Sequence, residues 1–208
     1  MDKMKYLDEQ IINLLDRVEN YASEYSDDDP QDHVTEQSFA KGFIIDRKRI
    51  EFARREVIET KLSIMLPKDF TKMSPDIAKL KYPSEHRPQV IYTNPANTVN
   101  FWVTEGEDFP AEHDIEEMRD QVFATVTRLN PAVKAQQSGS VMVSTTKKVA
   151  YIEYSNPVLD GKIFNLMFML SLKAKLMIGC FNCLTKESKY WRKPMLEMVK
   201  SMRGGRVR

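Results

Sequence analysis

The sequence predicts an α+β fold: a curved antiparallel β-sheet flanked by helices, with an additional amphipathic helix at the N-terminus. Three observations predict it. From Val57 onward, apolar residues recur with period two in a series of short runs. The runs are joined by connections too short for neighbouring strands to lie parallel. The order helix, strand, helix, two strands, helix, four strands, helix also departs from the strict alternation of a parallel α/β protein. At 208 residues and 42% apolar content, the chain can build one main domain with a sizeable core.

The pattern divides the chain into an N-terminal helix over residues 1–25, an acidic linker over 26–42, the α+β domain over 43–202 and a basic tail over 203–208. In the first segment Met4, Leu7, Ile11, Leu14, Val18, Tyr21 and Tyr25 recur in steps of three and four. This gives a helix one apolar stripe, and the stripe needs a surface to dock on, either the chain's own domain or another chain. Ser26-Asp27-Asp28-Asp29-Pro30-Gln31-Asp32 has too little apolar content for a core and reads as a solvated linker.

The first sheet strand is expected from Val57 to Leu66, with Ile58, Thr60, Leu62, Ile64 and Leu66 on one face, ending at Pro67. Ser74-Pro75-Asp76 supplies an N-cap, a proline at the first helical position and a first-turn acid for a short helix, which Pro83 ends. Gln89–Thr93 and Thr98–Thr104 are rich in β-branched and aromatic residues, and Asn94-Pro95-Ala96-Asn97 between them is turn chemistry, so a hairpin is expected. Asp114 with Glu117 three residues later reads as a capping box, and Ile115, Met118, Val122, Val126 and Leu129 form the stripe behind it. Asn130-Pro131 closes that helix. Strands follow at Ser140–Ser144, Val149–Ser155, Lys162–Leu170 and Lys175–Asn182. A last helix runs from about Lys186 to Met202, where Pro194 predicts a kink or restart, and the tail from Arg203 reads as frayed.

The block Leu62 to Met73 (LSIMLPKDFTKM) resembles the opening of the superfamily that includes the photosystem subunit PsbP, the lipoprotein DcrB and the Ran-binding Mog proteins. Lys81 to Pro88 (KYPSEHRP), and the finish Gly179-Cys180-Phe181-Asn182-Cys183 followed by Trp191 and a closing helix, resemble stretches of small bacterial members of unknown function. The likeness covers about residues 57 to 202. It implies a PsbP-like α/β/α sandwich. Since the known relatives are mostly binding or assembly factors, Eag-type chaperones of secretion effectors among them, it also implies a binding role more than a catalytic one. No relative's binding residues match here, so no site is carried across.

The 31 basic and 30 acidic residues nearly cancel, which removes the whole-molecule field that generic nucleic-acid or anionic-membrane binding needs. No window approaches a membrane span, and the N-terminus lacks the apolar stretch of a secretory or lipoprotein signal, so a cytoplasmic location is expected. The two cysteines, Cys180 and Cys183, have redox-motif spacing. On one strand, however, residues three apart face opposite ways, and no second ligand pair for zinc is in sight, so they read as buried thiols. His86 and His113 sit in polar turn or helix-start contexts. None of the seven glycines forms a phosphate-cradling loop, and no nucleophile elbow occurs. No cofactor or metal is expected. The basic residues Arg47, Lys48, Arg49, Arg54 and Arg55 lack an interleaved stacking platform and read as a solvated flank.

These exclusions leave a non-catalytic protein-binding, adaptor or chaperone-like module as the expectation, working through a sheet face or groove in the secretion or assembly of a partner protein. The alternative is a ligand-binding protein or enzyme with an unrecognised pocket. On the strand Lys162–Leu170 both faces are apolar. One is expected under the N-terminal helix; left open, it would offer Met167 and Met169, adaptable side chains suited to varied partners. Leu7, Ile11, Leu14 and Val18 on the N-terminal stripe are the other candidate partner contacts, including a route to a homo-oligomer.

Overall fold

The computed structural model describes residues 39–82, 87–88, 90–109, 114–145, 147–158 and 161–204. The expected N-terminal helix, residues 26–38 of the acidic linker, His86 and His113 lie outside the described residues.

Among the described residues every strand pairing is antiparallel, as the short connections require. Strands β1 (Phe43–Ile45) and β2 (Lys48–Ile50) form a hairpin whose turn residues Asp46 and Arg47 both have positive φ. Strands β3 (Phe52–Ile58), β4 (Leu62–Pro67) and β12 (Arg203–Gly204) form a second small sheet. The main sheet has seven strands: β5 (Thr71–Lys72), β6 (Ile91–Thr93), β7 (Val99–Asp108), β8 (Lys134–Ser144), β9 (Lys147–Val158), β10 (Gly161–Leu172) and β11 (Lys175–Leu184). Their spatial order is β5-β6-β7-β11-β10-β9-β8. The helices are α1 (Pro75–Lys81), α2 (Ile115–Leu129) and α3 (Thr185–Lys200).

The main sheet is apolar on both faces because both are covered. Against one face lie Trp191, Met195, Met198 and Val199 of α3, together with β3 and β4, over Phe101, Phe168 and Phe181. Against the other lie Ile115, Val122 and Val126 of α2, over Ile152, Met167 and Met169. The described helices thus supply the cover that the sequence reading had assigned to the N-terminal helix.

Most local expectations hold. Ser74 and Asp114 are the N-caps of α1 and α2, each accepting a backbone N–H. The reciprocal half of the capping box is absent, since the Glu117 carboxylate accepts from Gln121 Nε2 instead. Asn94 builds the β6–β7 turn by accepting from the N–H groups of Thr98 (2.8 Å) and Val99 (3.0 Å).

Four expectations are corrected. The alternating run expected as one strand from Val57 to Leu66 is the β3–β4 hairpin, with Thr60 at positive φ and the Lys61 N–H donating to the Ile58 carbonyl. Ile58 pairs with Leu62, and paired residues share a face, so the period-two pattern passes through the reversal without a break. Helix α3 continues without interruption through Pro194. The residues Arg203 and Gly204 are paired with Ser63 and Leu62 instead of frayed. Strand β8 starts at Lys134, six residues before the expected start at Ser140, because its polar first half needs only to pair with β9.

Candidate functional site

The register aligns polar side chains in one row across the main sheet. Thr93 on β6 faces Asn100 on β7, Asn100 faces Asn182 on β11, Asn182 faces Asn165 on β10, and Asn165 faces Tyr154 on β9. Paired residues point to the same side, so the row lies together on the α2 face. All five are buried. An amide removed from water costs free energy unless it is bonded, and here each of the three asparagines has a side-chain partner. Thr93 Oγ1 donates to Asn100 Oδ1 at 2.8 Å, Asn100 Nδ2 to Asn182 Oδ1 at 2.8 Å, and Asn182 Nδ2 to Tyr82 Oη at 3.1 Å. Asn165 Nδ2 donates to Asn156 Oδ1 at 2.6 Å. Burial pushes the phenols of Tyr82 and Tyr154 upward, which keeps them neutral. The row is therefore a set of neutral groups, three of them bonded in a chain that ends on Tyr82 and Asn165 bonded to Asn156, suited to fixing strand register and not to moving protons.

At the β6–β7 turn the row ends beside charged groups. Thr98 Oγ1 lies 3.4 Å from Glu187 Oε1, in the first turn of α3, and Lys81 Nζ donates to the Asn97 carbonyl. Burial raises the pKa of Glu187, and burial lowers that of Lys81, with the Glu187 carboxylate opposing. A carboxyl whose folded pKa lies above its unfolded value stabilises the fold below the unfolded pKa, and the gain is lost as pH rises through the folded pKa. Glu187→Gln is accordingly expected to melt at a higher temperature than the parent chain at pH 7. The gap should close as pH falls toward about 4. An equal difference at both pH values, read by circular dichroism, would contradict this.

The residues singled out in the sequence fall in different places. Met167 and Met169 are 5% and 0% exposed beneath α2, so the described fold does not present them to a partner. Leu7, Ile11, Leu14 and Val18 lie outside the described residues. Cys180 and Cys183 are buried, free and on opposite faces of β11, and burial raises both thiols. Arg54 donates to the Ser201 carbonyl at 3.0 Å and Arg55 to the Lys68 carbonyl at 2.8 Å, which makes them fasteners of the small sheet. Among the described residues no group of three or more His, Cys, Asp and Glu side chains is placed to hold a metal, and no helix is long and apolar enough to cross a membrane.

The two edges of the main sheet differ. Strand β5 is two residues long, whereas β8 has eleven. Among the described residues β8 pairs with β9 alone, and its side chains are exposed from Lys134 to Ser138 and at Ser140, Met142 and Ser144. From Ala135 to Ser144 it carries no charge and no proline, the residues that ordinarily guard an open edge. Register shifts between Ala135 and Gln137 and between Met142 and Ser144 bracket a regular stretch. Sequence reasoning missed both the row and the edge. The row had a signal, in that Thr93, Asn100, Asn165 and Asn182 interrupt otherwise apolar strands. The edge had none, because edge position is a property of strand order.

No family model matches the chain, and no curated protein matches it. Among solved structures, the cyanobacterial PsbP protein (CyanoP) of Synechocystis sp. PCC 6803 aligns with a TM-score of 0.55 at 11% identity, over 74% of this chain and 92% of that one. A Bacteroides thetaiotaomicron protein aligns with a TM-score of 0.47 at 12% identity, over 74% and 49% of the two chains. LpqN, involved in cell envelope biogenesis of Mycobacterium tuberculosis, aligns with a TM-score of 0.45 at 8% identity, over 79% and 99%. The likeness to CyanoP bears out the resemblance at the level of the fold.

Proposed function

We propose, from the premise that the chain has a PsbP-like fold, that it is a non-catalytic, cytoplasmic protein-binding module whose docking surface is the open edge strand β8, not a face of the sheet. The observation that carries this reading is the contrast, among the described residues, between covered faces and an edge strand with no strand on its outer side. Helices and the small sheet lie over both faces, while among the described residues β8 has a strand partner on one side only, with its Gly139 carbonyl accepting from Arg119 Nη1 at 3.1 Å. An added strand pairs with the backbone groups of the other side, with specificity left to the alternating side chains. The buried row supports a structural role for the polar residues, since its members are neutral and its asparagines are bonded to neutral side chains.

Two lysines at exposed positions test it. Ser138→Lys with Ser140→Lys places charge on the edge without touching the core, and is expected to leave the melting temperature unchanged while reducing partner association at least tenfold. Leu80→Lys, at a residue 72% exposed on α1, is the control and should change neither. Association unaffected by the two lysines would overturn the assignment of β8.

A further inference from the structure

We infer that the strand laid along β8 is β8 of a second copy, the two running antiparallel about a two-fold axis near Ser140 so that two seven-stranded sheets join into one. The inference rests on reading β8 as a docking edge.

Charge selects the occupant. Ten consecutive residues, Ala135 to Ser144, are uncharged, so β8 offers a charged foreign segment no complementary partner. An identical strand sets none of its own side chains against a like charge along that stretch; the charges that reach it are Arg192 at Gln137 Oε1 and Arg119 at the Gly139 carbonyl. A two-fold axis normal to the sheet produces an antiparallel pair and keeps each side chain on its own face. The half-buried Val141 and Val143, which pack toward the α3 face, then meet the same face of the other copy. Ser138, Ser140 and Met142, with Met142 55% exposed, meet Ser and Met on the α2 face. Gly139 within this stretch lies under the Tyr151 ring, where a Cβ would meet the hydroxyl at 2.9 Å, and its carbonyl accepts from Arg119 Nη1, a bond the pairing strand has to share or displace. The register shifts at either end leave Gln137–Met142 as a short, regular segment centred close to the axis.

The same geometry sets the strength. A contact made by one strand is smaller than the roughly 800 Å² per partner of a standard interface, so association on the order of 10 micromolar is expected. Lys134, at the start of β8, and Lys147, just past its end, bring like charges near each other at both rims of the pair. Added salt should therefore strengthen the dimer.

Sedimentation equilibrium of the full chain tests this over about 1 to 200 micromolar, the range in which so small a contact changes occupancy. The expected result is a mass rising with concentration from that of one 24.2 kDa chain toward twice that value. The rise should be steeper in high salt, abolished by Ser138→Lys with Ser140→Lys, and retained by Leu7→Glu with Leu14→Glu in the N-terminal stripe. A single chain throughout the range overturns the inference, as does a dimer that survives the lysines and is lost with the glutamates. A monomeric parent whose lysine variant nonetheless loses a captured protein would sink the self-pairing and leave β8 a docking edge. Lysines that alter neither property would sink both.

Discussion

Replacing Gly179 by alanine is expected to destabilise the chain by about 3 kcal/mol, at the upper end of what inserting a methyl into a packed core costs. Gly179 lies on β11 between Val103 of β7 and Phe168 of β10. A Cβ there would sit 2.2 Å from Phe168 Cζ and 2.7 Å from the Trp102 carbonyl oxygen. The carbonyl is sheet backbone and cannot retreat. Nor can the ring swing clear, because Phe168 is fully buried, stacked on Phe101 at 6.2 Å and against Phe181 at 6.1 Å. Urea denaturation should show a lower midpoint with an unchanged slope, and adding Phe168→Leu should recover part of the loss because the two sites share one space. A loss below about 1 kcal/mol would mean that the strands are not registered as described.

Arg192→Ala should cost a similar amount, about 3 kcal/mol, by leaving a buried carboxylate without its counter-charge. Glu153 on β9 is 2% exposed, and its Oε2 lies 2.5 Å from Arg192 Nη2 on α3. The contact is an ion pair and not an aligned hydrogen bond, which leaves Oε2 dependent on the arginine's charge. The same nitrogen donates to Gln137 Oε1 at 2.6 Å, so one side chain ties α3 to both β9 and β8. The arginine is half exposed, whereas the carboxylate is not, so most of the penalty comes from the stranded acid and not from the lost attraction. Combining Arg192→Ala with Glu153→Gln should therefore be less damaging than Arg192→Ala alone, and thermal melts of the three chains decide it. Equal losses would show that the carboxylate finds water.

The sequence made the local structure legible wherever one segment carried its own signal. Ser74 and Asp114 announced their helices, the Asn94 turn announced the β6–β7 hairpin, and β9, β10 and β11 were visible as apolar runs. The opposed cysteines also followed from strand parity alone. Elements whose signal is shared between segments were not legible. The basic, weakly alternating stretch from Phe43 to Ile58 forms three strands because Phe43 and Phe52 pack with Phe39, each ring pair at 5.1 to 5.3 Å, and nothing in the local pattern states that contact. The polar half of β8 is a strand only because β9 lies beside it. The cover of Met167 and Met169 could not be assigned from the strand itself, because α2, which supplies it, is distant in sequence. The candidate docking edge was hidden for the same reason: alternation tells which way a residue faces, and only the completed sheet tells which strand comes last.

Amide hydrogen exchange at low and high protein concentration tests the covered-face, open-edge arrangement most directly. Amides of β10 and β11 should exchange only through global unfolding at either concentration. Along β8, the amides bonded to β9 should be slow, while those directed outward should exchange rapidly at low concentration and become protected at high concentration. Outward amides of β8 protected to the same degree at every concentration would contradict the account, because the edge would then already be occupied within a single chain.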